Sequence, residues 1–182
     1  MARSQRKDAG EPVAQERRGK DHGPGQPADQ PSQQTSERPA LRLERVYAAA
    51  REEVWRAWTD PQALRIWFGP GRPNSVTVAE TDVRVGGRMR IGFDMPDGQH
   101  HEVRGVYLEV DAPRRLAFTW AWVTTPERES RVSIDFLDEG GATRMKFLHE
   151  QFYDQAARDD HEGGWTTTFE KLEQLLHEGQ PR

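Results

Sequence analysis

Between residues 76 and 150 bulky apolar side chains recur at every second position. Met89, Ile91, Phe93 and Met95 interleave with Arg88, Arg90, Gly92 and Asp94. Leu116, Phe118, Trp120 and Trp122 interleave with Arg115, Ala117, Thr119 and Ala121, and Val132, Ile134 and Phe136 with Arg131, Ser133 and Asp135. Met145, Phe147 and His149 continue the pattern between Arg144 and Lys146. A period of two sends neighbouring side chains to opposite faces, so each run predicts a strand with one bulky face and one polar or small face. Further strands are predicted over Leu41 to Tyr47, Val76 to Thr81 and Glu102 to Val110, about seven in all. The links carry turn chemistry: Val85-Gly86-Gly87, Pro96-Asp97-Gly98, Asp111-Ala112-Pro113 and Gly140-Gly141. Fixed or positive φ angles at such sites close antiparallel neighbours, which predicts a six-strand meander.

Elsewhere the spacing changes to that of a helix. Val54, Trp55, Ala57 and Trp58 predict a short helix over Ala50 to Thr59, and Asp60-Pro61 caps and starts a second one that runs to Trp67 before Gly69-Pro70-Gly71. Near the C-terminus Trp165, Phe169, Leu172 and Leu176 follow i, i+4, i+7 and i+11. Glu170, Lys171, Glu173, Gln174 and His177 are expected to face away, with Asp154 as N-cap. The expected architecture is α+β: a curved antiparallel sheet of about seven strands around one long C-terminal helix, with two short helices after the first strand. Such curvature leaves room for a cavity between sheet and helix. Gly163 and Gly164 sit inside this helix at a cost of roughly 1 kcal/mol each relative to alanine. A kink or a close approach to the sheet rim is the expected reason, and a side chain at Gly164 is expected to destabilise the fold.

Composition divides the chain near residue 40. Residues 1 to 40 contain no aromatic side chain, five of the twelve prolines and a near balance of charge, so they are expected to form a disordered tail before a single domain over 41 to 178. All sixteen aromatic residues lie in that domain, which carries a charge of about −5 once the tail's +1 is removed from the total of −4. This acidic balance gives no reason to expect a nucleic-acid partner. Without an apolar run long enough to span a bilayer, no membrane association is expected and the location is predicted to be cytoplasmic. With no cysteine, thiolate nucleophiles, disulfides and cysteine metal sites are excluded.

Four stretches, "VWRAWTDPQALRIWFGP" (54 to 70), "DVRVGGRMRI" (82 to 91), "GVYLEVDAPRRLAFTW" (105 to 120) and "LHEQF…RDDHEGGW…LEQLL" (148 to 176), resemble the START-like (SRPBCC) superfamily with its helix-grip fold. Within it they are similar to the family named for the activator of the Hsp90 ATPase, C-terminal domain. The resemblance covers about 41 to 178 and implies a deep, mostly apolar cavity under the C-terminal helix.

Catalytic and metal motifs are thin. His149-Glu150 and His161-Glu162 both begin a zinc-helix signature and lack its second histidine, which Tyr153 and Trp165 replace. His100 and His101 are adjacent in a strand and point to opposite faces, so no metal or cofactor is expected. His149 continues an inward face and reads either as a core histidine bonded to a neighbour or as a ligand contact. The aromatic set supplies the functional expectation, because rigid rings line pockets well. Ligand contacts are expected from Trp58, Trp67, Phe93, Phe118, Trp120, Trp122, Phe136, Phe147, His149, Trp165 and Phe169. The leading expectation is a binding protein for a small hydrophobic or aromatic molecule, in the setting of a stress response. The alternatives are a co-chaperone-like protein partner, and an enzyme similar to the superfamily's cyclases and aromatases in which His149 assists proton transfer.

Overall fold

A computed structural model describes residues 38–72, 74–95 and 97–178. The tail expected over 1–40 therefore lies, up to residue 37, outside the described residues. The elements run β1 (Leu41–Tyr47), α1 (Arg51–Thr59), α2 (Pro61–Trp67), β2 (Val76–Thr81), β3 (Arg88–Asp94), β4 (His100–Asp111), β5 (Arg115–Trp122), β6 (Ser130–Asp138), β7 (Thr143–Glu150) and α3 (Gln155–Glu178). The seven strands form one antiparallel open sheet in the order β1-β7-β6-β5-β4-β3-β2. β2 to β7 are the predicted meander. β1 closes the far side by pairing with β7, Leu43 opposite Phe147, so the first two strands in sequence occupy opposite edges. α1 and α2 carry the chain from one edge to the other, α1 touching β6 and α2 touching β2.

Local chemistry accounts for both short helices. Glu53 reaches back from the first turn of α1 so that its carboxylate accepts from the Ala50 N–H at 3.1 Å. Asp60 ends α1 and caps α2, accepting from the Gln62 N–H at 2.8 Å, and Pro61 occupies the first helical position, where its missing N–H costs nothing. The Trp67 indole then donates to the Ala57 carbonyl at 2.9 Å and locks α2 onto α1.

The sheet keeps its charges on the face turned from α3. There Arg90 makes a two-point pair with Glu102, at 2.9 and 2.8 Å, and Arg104 bonds the same carboxylate at 3.0 Å. The Arg90 hydrogen bond is the main reason the Glu102 carboxyl is pulled down to about 2. The opposite face is apolar and meets the helices. Rings dominate the closed part of this core: Trp58 lies 4.9 Å from Trp67, Phe147 lies 5.2 Å from Phe169, and Phe118 lies 6.0 Å from Tyr107.

The long helix corrects two expectations. α3 runs unbroken from Gln155 through both glycines to Glu178, and Asp154 caps it by accepting from the Ala157 N–H at 2.8 Å. A Cβ built on Gly163 or Gly164 would meet nothing within 4 Å, so close packing against the sheet is not why they are glycines. Nor does Lys171 face away. Its ammonium reaches back to the Gly69 and Gly71 carbonyls, and burial without a carboxylate partner among the described residues lowers it to about 8.

Candidate functional site: an aromatic cavity beside the N-terminal half of α3

A cavity of about 530 Å³ opens between the inner face of β3 to β5 and the first half of α3. That volume lies within the range of pockets for small organic molecules. Four segments close it. The turn after α2 supplies Phe68, Gly69 and Pro70, and the strands supply Phe93, His101, Trp120 and Trp122. The β5–β6 loop adds Thr124, Thr125 and Arg128. From the β7–α3 connection and α3 itself come Phe152, Tyr153, Ala157, Asp160, His161, Gly164, Trp165 and Thr168.

Each wall has a local cause. Gly69 turns the chain out of α2 with φ +80°, a region a side chain rarely adopts, and a Cβ there would stand 3.0 Å from the Phe93 ring. Lys171 then ties this turn to α3. On the far side Gln151 turns the chain out of β7 with φ 66° and buries Phe152. The segment before β1 holds that turn: Phe152 donates its N–H to the Pro39 carbonyl, and Arg38 donates to the Phe152 carbonyl, both at 3.1 Å. Along α3, Ala157, His161, Gly164 and Thr168 follow one helical face, so the missing side chain at Gly164 leaves room in the cavity itself.

Two tryptophan–histidine pairs set the chemistry of the inner wall. Trp165 Nε1–H donates to His149 Nδ1 at 3.1 Å. Since an indole can only donate, that nitrogen is an acceptor and the proton of the neutral ring sits on Nε2. From there it is donated to Ser130 Oγ at 2.8 Å, and the Ser130 hydroxyl donates to the Trp120 carbonyl at 3.1 Å. The second pair repeats the logic: His161 Nδ1–H donates to the Ala157 carbonyl at 2.7 Å, leaving Nε2 to accept from Trp120 Nε1–H at 3.2 Å. Burial, then the facing His161, pushes His149 well below the ordinary imidazole value. Burial lowers His161 too, against the opposing pull of the Ala157 carbonyl and Asp160. Both rings are therefore neutral scaffolds that orient two indoles. Trp120 and Trp165 stand 5.1 Å apart, with Phe68 6.1 Å from the first and 5.8 Å from the second.

Of the residues singled out from sequence, Phe93, Trp120, Trp122 and Trp165 line this cavity. Trp58, Trp67, Phe118, Phe136, Phe147 and Phe169 do not; they lie in the closed core, where Trp55 and Trp58 of α1 cover Phe136 and Phe147, and Phe118 packs on Tyr107. His149 stands behind the wall, fully buried, and acts on the cavity through Trp165 and Ser130. The sequence marked none of Thr125, Arg128, Phe152 and Asp160 as lining residues, and it pointed to His101, His161 and Gly164 only as metal-motif or helix-glycine positions. For the α3 residues a signal was present, the spacing of 157, 161, 164 and 168, which runs beside the more apolar stripe. Among the described residues no group of three or more His, Cys, Asp or Glu side chains is placed to hold a metal ion, and no helix is long and apolar enough to cross a membrane.

An open antiparallel sheet wrapped on a C-terminal helix, with a pocket beside that helix and two short helices after the first strand, is the START-like, helix-grip class of fold. Within it the chain belongs to the Activator of Hsp90 ATPase homolog 1-like protein family, whose model matches residues 48–177. Similar solved structures agree. An AHSA1 protein from Silicibacter pomeroyi is 28% identical with a TM-score of 0.66, over 78% of this chain and 100% of its own. Proteins from Rhizobium leguminosarum (28% identical, TM-score 0.65) and Nitrosomonas europaea (26%, 0.64) each cover 78% of this chain and 96% of their own. No curated protein matches the chain.

Proposed function

We propose that this protein binds a small hydrophobic, aromatic molecule in the cavity beside α3, within the cytoplasm and as part of a stress response. The observation that carries the reading is the state of the inner wall. It is built from ring faces, and its polar atoms are already bonded to one another, so an apolar guest displaces water there without stranding a donor or acceptor. The ring contacts that fix Trp120 and Trp165 also spare a ligand the entropy of ordering them.

Native mass spectrometry of the full-length chain, purified gently and followed by solvent extraction, tests this. The expected result is a stoichiometric apolar adduct, reduced or lost in Trp120→Ala and in Trp165→Ala. A clean unliganded mass, with no tryptophan fluorescence response to a panel of hydrophobic compounds, would move the assignment to a protein partner.

A further inference from the structure

Polarity is distributed unevenly around the cavity. Its inner end has the indole N–H groups of Trp120 and Trp165, both ring nitrogens of His149 and His161, and the Ser130 and Thr168 hydroxyls satisfied within the protein. Its rim is the opposite. His101 lies half-buried, stacked on Phe93 at 6.0 Å and edge-on to Trp122 at 5.7 Å, and neither of its ring nitrogens has a hydrogen-bond partner among the described residues. Thr125 and Asp160 line the same cavity, and their side chains likewise have no hydrogen-bond partner among the described residues. A half-buried imidazole that no described protein group engages keeps a ring donor and a ring acceptor for a bound molecule.

Charge narrows the chemistry. Among the described residues that line the cavity, Arg128 is the only arginine or lysine, and its guanidinium lies over the Tyr153 ring at 4.3 Å. Asp154 and Asp160 line the cavity as well. A negatively charged end group would gain from Arg128 and be opposed by the two carboxylates; a positively charged one would meet the reverse. The carboxylates outnumber the guanidinium, but all three groups are exposed, where solvent screens a single ion pair to about 0–1 kcal/mol, so a charged end group of either sign would gain little for the water it gives up.

We infer that the ligand is an amphiphile: a planar aromatic body lying against the ring wall of Trp120, Trp122 and Trp165, ending in one uncharged hydrogen-bonding group, a hydroxyl or a carbonyl, that meets His101. This rests on the hydrophobic-ligand reading above and adds the polar end and its lack of charge.

Equilibrium dialysis of the full-length chain against four congeners tests it: naphthalene, 2-naphthol, 2-naphthoate and 2-(aminomethyl)naphthalene. The expected order places 2-naphthol first, about five-fold tighter than naphthalene, which is the worth of one neutral hydrogen bond. In His101→Phe, which keeps a ring beside Phe93, the affinities of naphthol and naphthalene should converge. Equal binding of naphthalene and naphthol to the unmodified chain would overturn the polar end while leaving a hydrophobic pocket. Tightest binding of the anion or of the cation would overturn the uncharged end group, and no binding of any congener would overturn this inference together with the ligand reading itself. Because the congener order is read on the unmodified chain, poor folding of the variant does not spare the proposal.

Discussion

At the scale of single residues, His149 ties stability to pH. In the native state its Nδ1 accepts from Trp165, so protonation there would set two donors against each other in a buried site. The native value is depressed below the ordinary 6.5, with His161 facing the ring and Asp160 beside His161. A depressed imidazole binds fewer protons folded than unfolded. Its contribution is therefore fully present above about 6.5 and is lost as pH falls below that value. Thermal unfolding from about pH 7 to about pH 5, the range in which imidazoles charge, should show a falling midpoint. His149→Gln keeps an acceptor for Trp165 and a donor for Ser130 without a titrating group, so the fall should be smaller; an equal fall would remove His149 as the cause. The two glycines offer a second residue-scale test. Neither would crowd a methyl group, so Gly163→Ala and Gly164→Ala should each stabilise the chain, by about 0.5–1 kcal/mol from helix propensity alone. Only Gly164 lines the cavity, and only its variant should lose affinity for a bound aromatic compound. Unfolding midpoints and dialysis on the same pair of variants separate the two effects.

Among the elements, the joint between α2 and α3 depends on one side chain. Lys171 donates to two carbonyls of the buried turn after α2, and that turn carries Phe68 into the cavity wall. Lys171→Met preserves much of the apolar stem and removes both bonds. It should lower stability by about 1–3 kcal/mol, the cost of leaving buried acceptors unpaired, and should speed amide exchange through Phe68–Arg72. Unchanged exchange there would show that the turn is held by its own glycine geometry. The elements themselves were legible in the sequence for a simple reason. Each of β3, β5, β6 and β7 has one face on the core, so alternation survives along its length, and the stripe from Trp165 to Leu176 marks the buried side of α3. The reach of Lys171 was not legible, because a lysine on the border of an apolar stripe looks the same whether it extends into water or bends toward a carbonyl.

For the molecule as a whole, the division between closed core and cavity is where sequence patterning stops. Phe147 and Trp120 both point inward, from β7 and β5 and four residues apart in register, yet the first packs against Phe169 and the second borders the cavity. The difference is set by which part of the sheet α1 and α2 cover, a long-range outcome of the chain crossing from β1 to β2. The same long-range dependence makes the start of the domain sharper than its composition suggests. The composition boundary falls near residue 40, whereas Arg38 and Pro39 are bonded to Phe152, which forms part of the cavity wall. Two truncations, differing by only three residues, should then behave differently. Removing residues 1–37 should leave both the thermal midpoint and the affinity for aromatic compounds at full-length values. Removing residues 1–40 strips the two bonds from Phe152 and should cost about 1–3 kcal/mol, with weaker ligand binding as the wall loosens. If the two truncations match each other in midpoint and affinity, the strap before β1 does not hold the wall. If the shorter deletion alone abolishes binding, residues 1–37 take part in the site and the domain begins upstream of Arg38.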